Sequence, residues 1–100
     1  MIRLKRAYEP AVASDGTRVL VERLWPRGVR KVDAHIDAWL KDLAPSHDLR
    51  RWFGHEASRF PEFRARYRRE LREEPARAQL AELAQRAARG TVTLVYSTRD

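Results

Sequence analysis

No cysteine occurs in these 100 residues. That absence excludes disulfides, thiolate nucleophiles and zinc sites built on thiolates. Glycine is scarce, with four in the chain. Neither G-x-G-x-x-G nor G-x-x-x-x-G-K-[ST] is present, so nucleotide cradles made from glycine loops are not expected. No apolar window of about 18 residues exists, which argues against a membrane span. Met1-Ile2-Arg3-Leu4-Lys5-Arg6 alternates charge with apolar side chains and has no hydrophobic signal core, so the expected location is the cytoplasm. His35, His47 and His55 lack zinc-site spacing. Asp33, His35 and Asp37 stand at i, i+2, i+4 and do not share one helix face. No metal and no cofactor is expected.

What the chain does contain is arginine. The net charge is +7, from 21 Lys+Arg against 14 Asp+Glu, and 18 of those cations are Arg. Genomic base composition contributes to such a bias, but Arg also suits bidentate binding of carboxylate or phosphate better than Lys does. A basic chain of this kind is matched by nucleic acid, anionic metabolites or an acidic protein. The length fits one domain, 1–100, with a thin core for which three Trp, three Tyr and three Phe supply the anchors.

Apolar periodicity predicts the elements. Ile2 to Arg6 alternates apolar and basic residues, a half-buried strand pattern. Pro10, Ser14, Asp15 and Gly16 predict a loop closing in an Asp-Gly turn. Arg18 to Leu24 contains Val19-Leu20-Val21, a run suited to a strand covered on both faces. Ile36, Trp39, Leu40 and Leu43 have helical spacing behind an Asp33 cap. Ser46 caps a short second helix with Leu49, Trp52 and Phe53, ended by Gly54. A third helix over 58–73 aligns Phe60, Phe63, Tyr67 and Leu71. A fourth, entered at Pro75, buries Leu80, Leu83, Ala84 and Ala87 and stops at Gly90. Thr91 to Ser97 is the last strand. The order β-β-α-α-α-α-β, with a long helical excursion between apolar strands, predicts an α/β fold: about three strands in a small, mostly parallel sheet packed with about four helices.

In an open parallel sheet, ligands bind beyond the carboxyl ends of the strands. Those ends carry Lys5-Arg6, then Glu22-Arg23-Leu24-Trp25-Pro26-Arg27-Gly28, then Tyr96-Ser97-Thr98-Arg99. If all three strands are parallel, Lys5, Arg6, Arg23, Arg27 and Arg99 are the expected ligand-binding cations, with Trp25 as a stacking or anchoring ring, for a small phosphate- or carboxylate-bearing ligand; an antiparallel first strand would remove Lys5 and Arg6 from the set. Glu22 and His55 are the candidates for proton transfer, and Tyr96 with Ser97 is a possible hydroxyl pair. The third helix offers a second surface, because Arg59, Arg64, Arg66, Arg68, Arg69 and Arg72 could follow a phosphate backbone. Interleaved glutamates such as Glu62 and Glu70 favour a solvated face instead.

The strings Arg23-Leu-Trp-Pro-Arg-Gly28, Lys41-Asp-Leu-Ala-Pro-Ser46, Trp52-Phe-Gly-His55 and Thr93-Leu-Val-Tyr96, with Leu4-Lys-Arg6, Asp15-Gly16 and Arg18-Val-Leu-Val21, resemble the YeaO-like branch of the family called domain of unknown function 488. The resemblance covers nearly the whole chain. It implies a small bacterial or archaeal cytosolic α/β protein and carries no activity with it. Members of that branch often have Asp at the position of Glu22 and continue past the last strand with a His-Asn-His-like segment and a further helix, whereas this sequence ends at Asp100. Three functions are expected to compete: an anion-binding protein, with or without catalysis; a nucleic-acid-binding module; and a non-catalytic interaction or structural protein, for which a homodimer is one form. In the third, the Arg/Trp motif is a structural clasp whose Arg27→Ala variant unfolds.

Overall fold

Two continuous apolar runs build the centre of the sheet. The structure, a computed structural model, describes residues 1–97. Strand β2 (Thr17–Leu20) and strand β4 (Val92–Tyr96) pair in parallel, with Val19 opposite Leu94 and Leu20 opposite Val95. Val19 and Leu20 point to opposite faces, as strand geometry requires, and both are essentially inaccessible to solvent. Strand β1 (Ile2–Arg6) flanks β4, and a two-residue strand β3 (Ala38–Trp39) flanks β2. The sheet order is β1-β4-β2-β3 and every pairing is parallel.

One face of this sheet holds Val19 and Val92 against Leu40, Leu43 and Leu83, with Leu71 and Ala87 beside them. Helices α3 (Phe60–Arg72) and α4 (Ala76–Arg89) supply the last three of those side chains. The other face holds Leu20, Val95 and Ala7 under Trp25, Val29, Ile36 and Trp39. The α/β class and the small parallel sheet are as the sequence predicts. No helix among the described residues is long and apolar enough to cross a membrane.

The segment from Asp33 to Leu43 differs from its helical pattern. Helix α1 covers only Lys31–Ala34 and ends where His35 takes a left-handed φ of 50°. The apolar residues then divide: Ile36 and Trp39 pack on one face of the sheet, Leu40 and Leu43 on the other. Backbone pairing with β2 decides the outcome. Asp37 N–H donates to Arg18 O at 2.8 Å and Leu40 N–H to Leu20 O at 2.9 Å, while the Asp37 carboxylate accepts from Arg18 N–H at 2.8 Å. The edge of β2 thus gains partners that a helix would have left unsatisfied. The result is a fourth strand, inside a stretch with helical periodicity.

Helix α2 (His47–Phe53) follows the predicted design, with the Ser46 hydroxyl capping Leu49 N–H and Gly54 in the left-handed region at its end. Its Phe53 ring meets Phe63 of α3 at 4.7 Å between centroids, and Phe60 and Tyr67 extend the aromatic layer. Trp52 and Phe53 are half-buried rather than enclosed. Helix α4 is rotated from its expected face. Ala76, Leu83 and Ala87 turn inward while Leu80 and Ala84 are exposed, and Gln79 on the inward side exchanges two hydrogen bonds with Asp42. On β1 the apolar residues Ile2 and Leu4 are exposed, while Lys5 and Arg6 are partly sheltered. Among the described residues, this edge strand has β4 as its only neighbour in the sheet.

Gly16 joins the Asp15 turn to β2 with φ +65°, and a Cβ there would lie 2.2 Å from the Thr91 carbonyl oxygen. Both the dihedral and the backbone contact oppose a side chain. Gly16→Ala is expected to lower stability by about 1–2 kcal/mol, measured by urea denaturation. A change within experimental error would show that the turn relaxes without cost.

Candidate functional site

Parallel pairing of β1 and β2 with β4 brings the carboxyl ends of the strands to one edge. There Glu22 is 4% exposed and accepts from both Ser97 N–H, at 2.6 Å, and Ser97 Oγ–H, at 2.9 Å. Arg6 donates to the Ser97 carbonyl at 3.0 Å and its guanidinium lies over the Tyr96 ring, 5.5 Å from the centroid. The Trp39 indole N–H donates to the Glu22 carbonyl at 2.6 Å. The end of β4 is therefore held on one side by the carboxylate after β2 and on the other by the guanidinium at the end of β1. Ser97 is a hydroxyl donor within this arrangement, and Tyr96 is a platform for Arg6.

Arg23 faces the other way along the motif. Its Nη1 pairs with Asp42 Oδ1 at 3.0 Å, its Nη2 donates to Ala44 O at 2.9 Å and its Nε donates to Pro45 O at 3.3 Å. The planar donor fork thus ties the loop after β2 to the segment that leads into α2. Asp42 is the partner that sequence reasoning did not single out, although it lies in the Lys41-Asp-Leu-Ala-Pro-Ser46 string. The same junction is braced by Glu70 of α3, which accepts from Ser46 N–H and Oγ–H, and by Tyr67, which donates to Leu43 O. Burial pushes the Tyr67 phenol above its ordinary pKa, with the Glu70 charge adding to the effect.

Trp25 closes the motif from above. Its indole N–H donates to Val29 O at 2.6 Å, its ring meets Trp39 edge to face at 5.7 Å, and Lys31 lies 5.8 Å from its centroid. Packing of Trp25, Pro26 and Val29 over Ala7, Leu20 and Val95 leaves no volume for a water molecule. Arg27 is different. Its side chain is exposed, and among the described residues only its backbone carbonyl is engaged, accepting from Tyr8 Oη–H at 3.3 Å.

Lys5 leaves the strand-end group for the opposite side of its strand. Its ammonium donates to both oxygens of Asp15 at 3.1 Å. Asp15 also pairs with Arg18 Nη1 at 2.7 Å and accepts from Val12 N–H at 3.1 Å, while Arg18 Nε donates to Ala34 O at 2.9 Å. Asp15 and Arg18 are 5% and 3% exposed, so this is a buried charge cluster. The Val12 N–H bond lowers the Asp15 pKa most, burial opposes it, and the Lys5 and Arg18 hydrogen bonds lower it further. One signal in the sequence could have located it: a lone cation, Arg18, opening an apolar strand three residues after an aspartate.

His55 follows α2 in a left-handed conformation, exposed, with its ring 6.4 Å from Phe53 in the aromatic layer. Arg99 lies outside the described residues. No group of three or more His, Cys, Asp or Glu among the described residues is arranged to hold a metal ion. An open hollow of about 340 Å³ lies at the start of β2, lined by Val12, Gly16, Arg18, His35 and Asp37 among others, away from the motif. The geometry therefore joins Glu22, Arg6 and Ser97, gives Arg23 and Lys5 internal carboxylate partners, and leaves Arg27 facing solvent.

A family model described as the inactive DUF488-N3 subclade matches residues 1–100. An uncharacterized protein of Mycobacterium tuberculosis is 47% identical over 98 residues, covering 98% of this chain and 80% of its own length. The uncharacterized protein YeaO of Escherichia coli is 42% identical over 100 residues, covering 99% of this chain and 84% of its own length. No solved structure matches.

Proposed function

This chain belongs to the inactive DUF488-N3 subclade, and from that premise we propose that it is a non-catalytic domain whose Arg23-Leu-Trp-Pro-Arg-Gly28 motif is a structural clasp. The observation that carries the reading is the internal engagement of Arg23, each of whose three guanidinium nitrogens donates to its own chain. Its guanidinium meets one carboxylate and two carbonyls of its own chain, so an external anion there would compete with the Asp42 charge for the same cation. Glu22 supports it, because a general base needs a lone pair within reach of a substrate proton, and this carboxylate is nearly inaccessible and accepts twice from Ser97. The subclade's description as inactive is in keeping with a site that lacks reactive geometry. On this reading the protein works in the cytoplasm by contact with a partner, and cell fractionation tests the location.

The competing reading, a small anion at the strand ends, retains the exposed Arg27 as its best remaining cation. Titration with inorganic phosphate, followed by thermal unfolding, separates the two. The clasp reading expects no stabilisation beyond that of a chloride control at matched ionic strength. A saturable stabilisation would follow the logarithm of ligand over Kd, about 2.7 kcal/mol at a hundredfold excess. If that appeared and vanished in Arg27→Ala, the motif would be a ligand site.

A further inference from the structure

The outward side of α3 sorts its charges by sign. Successive helical residues turn by about 100°, so Phe63, Tyr67 and Leu71, which pack inward, define one side. Arg64, Arg68 and Arg72 follow at i, i+4 and i+8 on the flank and back, with Arg69 beside them. The two acids within the helix stand on the other flank, with Arg66 between them and Glu62 bordering Arg69, and both are engaged: Glu62 pairs with Arg66 at 3.1 Å, and Glu70 accepts from Ser46; Glu73 follows directly after the helix, four residues from Arg69. All four arginines on the back are exposed. Among the described residues none of the four side chains takes part in a hydrogen bond or ion pair. In the sequence these charges interleave with glutamates and are partly balanced, but around the helix one arc carries arginines and no acid.

We propose that this face of α3 docks on the phosphodiester backbone of a nucleic acid, which gives the contact function proposed above its partner and rests on that reading. Arg64 to Arg72 spans about 12 Å along the helix axis, and a nucleic acid strand advances about 3.4 Å per phosphate, so three or four phosphates fall within reach. Guanidinium presents a planar fork that matches phosphate oxygens. Like charges at i, i+4 also destabilise the free helix slightly, and a polyanion relieves that repulsion. The remaining residues of the arc are Pro61 and Ala65. A protein partner would need a desolvated apolar centre, and this surface has none. Nucleic acid interfaces are polar and strongly positive. Contacts to phosphate oxygens carry no sequence information directly, so the contact proposed here is independent of sequence.

The test is fluorescence anisotropy of the full chain with labelled duplex DNA, duplex RNA and single-stranded DNA across a potassium chloride series. The three probes separate the possible sources of the backbone. Binding to at least one is expected at about 50 mM salt, and on duplex DNA the slope of log K against log salt is about −3.6 for four contacts. The triple variant R64E/R68E/R72E, shown to be folded by circular dichroism, should lose at least about tenfold in affinity with a slope near −1. The neutral R64Q/R68Q/R72Q gives the same direction with less perturbation. R77E/R89E on α4 should bind like the parent. No binding to any probe at low salt overturns the proposal, as does a triple variant that binds like the parent, or an equal loss in R77E/R89E. Binding to polyglutamate but to no nucleic acid would also overturn it, in favour of an acidic polypeptide. Failure here leaves the phosphate titration unchanged, whereas a saturable phosphate site that survives the triple variant would overturn the clasp reading alone.

Discussion

Asp15→Ala is expected to cost about 3–5 kcal/mol of stability, because it breaks a buried ion pair by removing one side of it. Arg18 would stay enclosed with only the Ala34 carbonyl, and Lys5 and Val12 N–H would lose their acceptor. For a chain of 100 residues whose total stability is about 5–15 kcal/mol, a loss of that size is enough to populate unfolded protein at ambient temperature. Asp15→Asn restores an acceptor without the charge and should fall between alanine and the parent. The same group sets a pH dependence. Its folded pKa lies below the ordinary value of 3.8, so the unfolded chain binds the proton more readily. The contribution is complete above the ordinary value and is lost as pH falls from there through the depressed folded value. Urea midpoints taken from neutral pH down to about pH 3 should decline in the parent, and less steeply in Asp15→Asn. Parallel acid limbs in the two proteins would show that Asp15 is not the group responsible.

Arg23→Ala is the second large effect. It removes three hydrogen bonds from a charged donor, each of the kind worth about 1.5–3 kcal/mol when isolated, but the pair with Asp42 is about a third exposed on both sides and screened accordingly. A net loss of about 2–3 kcal/mol is expected, measured by urea denaturation. Arg27→Ala should change stability by less than about 0.5 kcal/mol, as surface substitutions do. The clasp thus rests on the first arginine of the motif, whereas the sequence points to the second. Arg23 finds its partners 19 to 22 residues away, whereas the Arg27 side chain is left to solvent.

That reversal illustrates what residue order reveals and what it hides. Val19-Leu20-Val21 and Val92 to Tyr96 read as strands because burial on both faces demands unbroken apolar runs. Phe63, Tyr67 and Leu71 read as a helix because one face packs. Ala38-Trp39 did not read as a strand, since two residues carry no period of their own and the surrounding apolar spacing is helical. Only the unsatisfied edge of β2 selects the extended form. The grouping of Glu22, Arg6 and Ser97 followed from parallel strand ends. The pairing of Lys5 with Asp15 did not, because a strand's alternation sends neighbouring residues to opposite faces and the Asp15 turn lies against one of them. Charge order along α3 shows cations partly balanced by interleaved glutamates, while its angular distribution leaves four guanidiniums on an arc without an acid.

The central claim is that Arg23 acts within the fold and not on a ligand. A double-mutant cycle of Arg23→Ala and Asp42→Ala, read by urea denaturation, tests it most directly. Residues in contact show coupling of about 0.5–3 kcal/mol, and independent sites add. The clasp predicts coupling of about 1 kcal/mol, with neither variant altering the response to phosphate. Additive losses, or a parent stabilised by phosphate through Arg23, would contradict it.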